Sequence, residues 1–150
     1  MTETPEIEAR RAWMSLAAKA PAASLARLWD DAGIAPEFEW LRPPEIGGVM
    51  TRGRMGATGA PFNLGEITVT RCALRLSSGE VGHAYVQGRD KDKAKTAALI
   101  DALMQTNAAG ALREAVLDPL AEEMATTRAA RARKAAATKV EFFTMTRGEP

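Results

Sequence analysis

Few residue types in this chain can do covalent or acid–base chemistry, and their spacing is thin. His83 is the sole histidine and Cys72 the sole cysteine. A histidine relay or zinc site needs several such groups converging, so His83 reads as a structural residue in a strand. Cys72 falls inside a run rich in β-branched residues, where a thiol behaves as a small buried hydrophobe. A nucleophilic cysteine would need an accessible, electropositive setting instead. The glycines of Gly53 to Gly59 hint at a phosphate cradle. The Gly-Lys-Ser/Thr ending and the strand-to-helix dinucleotide fingerprint are both missing, so the stretch reads as a turn. Arg42, Arg52, Arg54, Arg71, Arg75 and Arg89 surround the same region. They can grip phosphate or carboxylate in bidentate fashion, or pair with acids at an interface, and spacing leaves both open. No catalytic residue, metal site or cofactor is expected from this inventory.

The elements that must position these residues centre on Arg54 to Asp90. Glu66 to Leu76 is a strand, Ser77-Ser78-Gly79 a turn, and Glu80 to Gln87 a second strand, giving an antiparallel hairpin. In the second strand Gly82, Ala84, Val86 and Gly88 form a small-residue face that lets a helix or another subunit approach closely. In the first, Ile67 and Val69 oppose Leu74 and Leu76; either a bulge re-phases the strand or both faces are covered. Upstream, Glu37 to Arg42 alternates as a half-buried strand that Pro43-Pro44 ends, and Ile46 to Met55 is a further strand. About four antiparallel strands result.

Helices flank this sheet. Pro5 to Ala20 places Trp13, Met14, Leu16 and Ala17 on one side. After Pro21, Leu25, Leu28, Trp29 and Ala32 repeat at helical spacing until Gly33 stops the helix. Both tryptophans read as core. Asp90 caps a third helix, Lys91 to about Gln105, with Thr96, Leu99, Ile100 and Leu103 inward. Lys91, Lys95, Asp101 and Gln105 are expected outward. A break at Asn107 to Gly110 precedes a short helix through Leu112 and Val116. Asp118-Pro119 then opens another as N-cap and first residue. Beyond Met124 that helix has only alanine as apolar content, which favours helix yet buries little area. It belongs on the periphery or against another chain. Val140 to Arg147 returns to a strand-like pattern, either a home-sheet strand or a docking segment.

The expected fold is therefore α+β. An antiparallel sheet carries an N-terminal helical hairpin, a helix after its last strand, and a C-terminal helical arm with an extended tail. At 150 residues one domain is expected, with 1–105 the compact core and 106–150 peripheral and partner-contacting. That length buries roughly two-thirds of the unfolded surface. A net charge of +1 gives no global field toward nucleic acid. The opening MTETPEIEAR lacks an apolar signal core and no run reaches membrane-spanning length, so a soluble cytoplasmic protein is expected.

Three stretches carry a resemblance: Arg54 to Leu76, Tyr85 to Met104, and Val140 to Gly148. With Trp13-Met14 they resemble the PhnG subunit family of the bacterial carbon–phosphorus lyase system, in the right order over nearly the whole chain. Residues 106–138 resemble it least, and Thr146 stands where an apolar residue is usual. The resemblance implies a cytoplasmic role in phosphonate use. With the H and I subunits and an ATP-binding-cassette-like L protein, such a subunit supports transfer of a ribosyl triphosphate from ATP to methylphosphonate. Adenine leaves and α-D-ribose 1-methylphosphonate 5-triphosphate forms. Catalysis is ascribed to the I subunit, and a radical S-adenosylmethionine J subunit later breaks the C–P bond. The G, H, I and J subunits form a core complex with two copies of each. No catalytic residue carries over to this chain. An accessory subunit that organises the I subunit is thus implied, with Phe142, Phe143, Met145 and Arg147 as interface candidates. The alternative is a direct substrate binder, in which Arg54, Gln87 and Arg89 hold the triphosphate or phosphonate. Neither nucleic acid nor membrane is an expected partner.

Overall fold

The computed structural model describes residues 5–54, 56 and 59–147, the side chains of residues 5, 63 and 145–147 excepted. Met55, Ala57 and Thr58, which belong to the glycine-rich stretch read as a turn, lie outside the described residues. Two helices, α1 (Pro5–Lys19) and α2 (Ala22–Ala32), precede three strands, β1 (Phe38–Arg54), β2 (Pro61–Leu76) and β3 (Val81–Gln87). Then come α3 (Lys91–Leu103), α4 (Ala109–Leu112), a π-helical segment (Arg113–Leu117) and α5 (Asp118–Arg147).

The sheet is antiparallel in the order β1-β2-β3. The four runs expected to build the sheet are present, but the two flanking Pro43-Pro44 join into one β1. Register shifts between Trp40 and Arg42 and between Arg42 and Glu45 absorb the prolines. An edge strand with bulges is where a residue lacking N–H is tolerated. Against β3, β2 keeps register from Val69 to Arg75, so no bulge re-phases it there. Val69 and Leu74 are both buried on opposite faces, which settles that both sides of β2 are covered in part.

The core forms where α3 meets the sheet and α1 and α2 pack on α3. Asp90 caps α3, its carboxylate accepting from the Lys93 amide at 2.9 Å. The small-residue face of β3 meets α3. A Cβ at Gly82 would collide with the Ala98 carbonyl oxygen and sit 2.8 Å from the Ala102 nitrogen. Backbone-to-backbone proximity of this kind requires glycine. The αL conformation of Gly33, at φ 65°, closes α2 as expected.

Asp101 overturns the expected outward face of α3. It is fully buried. Its Oδ1 accepts from Trp13 Nε1 at 2.8 Å and Arg10 Nε at 3.1 Å. Its Oδ2 accepts from Arg10 Nη2 and the His83 amide, both at 2.9 Å. Burial of a carboxylate is tolerated because four donors and one cation compensate its lost hydration. The hydrogen bond to Asp101 raises the Arg10 guanidinium above its usual pKa, although partial burial opposes it. Helical periodicity misplaces Asp101 because α3 is buried nearly all round from Ala97 to Leu103.

Three boundaries also move. The core does not end at 105: Leu112, Val116, Leu117 and Leu120 are fully buried members of it. These side chains follow the break after α3 and return the chain to the α2 side. Asp118 has helical φ and ψ rather than N-cap geometry, because the π segment carries the helix through to Pro119. A wider turn just ahead of proline relieves the clash and missing N–H that proline imposes. Finally, Val140 to Arg147 is helix, not an extended tail. No breaker interrupts the alanine-rich run before it, and the Thr138 and Thr144 hydroxyls donate to the Lys134 and Val140 carbonyls. Continuing a helix adds a bond per residue without a new nucleus, which outweighs the β preference of Val and Phe.

Asp101→Ala should cost about 2–4 kcal/mol, since it leaves two part-buried N–H donors and the partly exposed Arg10 guanidinium without their acceptor. Urea unfolding measures this, and a loss under about 1 kcal/mol would contradict the anchoring role.

Candidate functional site

The sheet face away from α3 carries most residues able to meet a ligand. Cross-strand register aligns Glu45, Arg71 and Tyr85 in one row, and Arg42, Ala73 and His83 in the next. Two arginines there are already engaged. Arg75 pairs with Glu39, and Arg71 Nε lies 3.6 Å from a Glu45 oxygen. These exposed cross-strand pairs contribute at most about 1 kcal/mol each, but they answer the open choice for Arg71 and Arg75 in favour of pairing within the sheet.

His83 points its ring to solvent while its amide serves Asp101. Val81 completes the capped edge of β3, its carbonyl accepting from Gln105 Nε2 at 2.8 Å and Arg10 Nη2 at 3.4 Å. Side chains thus occupy edge groups that would otherwise invite another strand. A groove of about 600 Å³ lies beside this edge, lined by Ile7, Arg10, Met14, Ser15, His83 and Tyr85. Residue spacing gives no sign of it, because Arg10 lies 71 residues before Val81 and only the fold brings α1 beside β3. The one available signal was Trp13, whose indole N–H needs a partner when buried.

Cys72 is buried in the core, its thiol 3.3 Å from the Ala94 carbonyl oxygen. Burial pushes the thiol up to about 11, away from a reactive thiolate. Among the described residues, no group of three His, Cys, Asp or Glu side chains is placed to hold a metal.

The proposed substrate contacts do not converge. Gln87 and Arg89 are exposed at the end of β3, where Gly88 turns the chain at φ 93°. The Thr70 hydroxyl pins that turn through the Gly88 carbonyl at 2.7 Å. Arg54 sits opposite Pro61, whereas Gln87 sits opposite Val69. At roughly 3.3 Å per residue, eight β2 positions separate them by about 26 Å. One phosphate cannot bridge that distance.

The interface candidates lie on α5. Phe142 and Phe143 are exposed, 67% and 53% respectively, with ring centroids 6.0 Å apart in edge-to-face contact. Lys139 Nζ stands 5.8 Å from the Phe143 ring centroid. Met145 and Arg147 belong to the same helix, and their side chains are outside the description. A second exposed apolar group marks the far part of the β1–β2 ribbon, where Met50 and Leu64 are the most open.

The chain matches the model of one protein family, described as phosphonate metabolism protein PhnG, over residues 8–148. It is also similar to the α-D-ribose 1-methylphosphonate 5-triphosphate synthase subunit PhnG of Rhizobium meliloti (strain 1021). The two are 46% identical over 140 residues, covering 93% of this chain and 90% of that protein. No helix among the described residues is long and apolar enough to cross a membrane.

The burial of Cys72 has a direct consequence. At pH 8 its alkylation by iodoacetamide should run at least about a hundredfold slower in the folded chain than in urea. Comparable rates in both would show the thiol to be accessible.

Proposed function

The chain belongs to the phosphonate metabolism protein PhnG family, and from that premise we propose that it is a non-catalytic subunit of an α-D-ribose 1-methylphosphonate 5-triphosphate synthase. The observation that carries this is the match at 46% identity, along nearly the full length of both chains, to a protein named as a subunit of that synthase. In this assignment the I subunit performs the transfer of the ribosyl triphosphate from ATP to methylphosphonate, and the present chain organises it. The H and J subunits and a second copy of this chain complete the assembly, in the cytoplasm. No metal or cofactor is assigned to this chain.

The chemistry of the described residues supports a supporting rather than a reacting role. Cys72 packs as a hydrophobe, and Asp101 is consumed by structural hydrogen bonds. Arg71 and Arg75 are held in cross-strand pairs. The exposed phenylalanines of α5 support docking on a neighbour, together with Met145 and Arg147 of the same helix. A second assignment, direct contact with the substrate's phosphate or phosphonate, is favoured by the adjacency of Gln87 and Arg89 beside the pinned Gly88 turn. Arg54 would have to act at a separate place.

Reconstitution with purified partner subunits tests the proposal. His83→Ala and Cys72→Ala should each retain synthase turnover, with stability losses of about 1–3 kcal/mol at most. A fall of about a thousandfold with the complex still assembled would assign chemistry to this chain.

A further inference from the structure

Charge is segregated in this molecule in a way the bulk composition hides. Residues 125–147 contain Arg128, Arg131, Arg133, Lys134, Lys139 and Arg147 against Glu141 alone, a net of +5. The chain totals +1, so everything else sums to −4. That basic segment is the outer part of α5, and every described side chain from 125 to 144 is exposed. Its attachment is confined to the first turns, through Leu120, Met124 and the Arg27–Glu123 ion pair. Twenty-three residues at 1.5 Å each make an arm of about 35 Å.

One face of the arm is organised. Arg131, Lys134, Lys139, Phe142 and Phe143 share it, joined at three- and four-residue spacing through Ala135 and Thr138. The cations occupy the near end of this stripe and the aromatic rings its far end. Helix-in-groove recognition uses such a face, and the sign of the charge dictates the sign of the groove. We propose that the outer half of α5 lies in a groove on a partner subunit of the synthase. Carboxylates face Arg131, Lys134 and Lys139 over about 12 Å, and an apolar pocket beyond them receives Phe142 and Phe143. The small Ala135 and Thr138 allow the two backbones to come close.

The occupant is a protein rather than a lipid surface or a nucleic acid. A membrane-lying helix needs an apolar face along its length, and here large apolar groups are confined to the last turns. Binding of single-stranded nucleic acid uses aromatic rings interleaved with cations, whereas none occurs between Ala125 and Glu141. This inference rests on the subunit assignment above and adds the chemistry of the docking surface.

Affinity of the full chain for the remaining purified synthase subunits, at about 50 and about 500 mM NaCl, tests it. The combined Arg131→Glu, Lys134→Glu, Lys139→Glu variant should bind about tenfold or more weaker at low salt and lose its salt dependence. The Phe142→Ala, Phe143→Ala variant should bind about a hundredfold weaker at both salts with the salt dependence intact. Circular dichroism of each variant should show α5 retained. Charge reversal that changes affinity less than about threefold, in a complex that still forms, would overturn the acidic groove and leave the subunit assignment standing. Failure of the wild-type chain to join the other subunits would overturn both. Tighter binding of the wild type to phosphatidylglycerol vesicles or polyuridylic acid than to the subunits would overturn the choice of a protein occupant.

Discussion

The folded part of the molecule depends on one buried carboxylate. Asp101 reaches from the last turn of α3 to the indole of Trp13, the guanidinium of Arg10 and the amide of His83. Those groups belong to α1 and β3, so a single side chain ties the first helix, the central helix and the outer strand. Hydrophobic contact between these elements is non-directional. Hydrogen bonds to a fixed acceptor add geometry, which sets how α1 crosses α3 and where β3 stops along it. The same cluster covers part of the β3 edge, with Gln105 and Arg10 on the Val81 carbonyl. Packing alone would leave that edge available to another strand.

Around this anchor the chain separates into a self-sufficient body and two outreaching parts. The body contains Leu25, Leu74, Ile100, Leu112 and Leu120 in one buried cluster. The β1–β2 ribbon past Arg42 and the α5 arm past Met124 lack that cover. Burying their large apolar side chains requires something outside the chain, in line with a subunit whose work is assembly. The reactive side chains tell the same story from the other side. The thiol is sealed in the core, and the single histidine contributes its backbone to the structure.

Much of this was legible in local patterns. The apolar stripes of α1 and α2, the Gly33 stop, the β2–β3 hairpin and the small face of β3 each follow from residue spacing alone. The failures have physical causes. Helical spacing points Asp101 to solvent, because an isolated helix gives a carboxylate no reason to be buried; its donors come from residues 10, 13 and 83. Val140 to Phe143 has strand-like composition, and the helix simply continues through it because nothing upstream ends it. Pro43-Pro44 reads as a stop, yet an edge strand with two register shifts accommodates it. For the candidate site, residue type suggested Arg54 with Gln87 and Arg89. Only the register could show that they lie at different levels of the sheet.

The division between an anchored body and a partner-dependent arm is open to one direct measurement: amide hydrogen exchange on the full chain, alone and within the reconstituted synthase. Alone, α3 and β3 should exchange only through global unfolding, while residues 125–147 exchange near the rate of an isolated, marginal helix. In the complex the arm should gain protection with the body unchanged. An arm that is already protected in the isolated chain, or that stays unprotected in the assembled complex, would contradict this account.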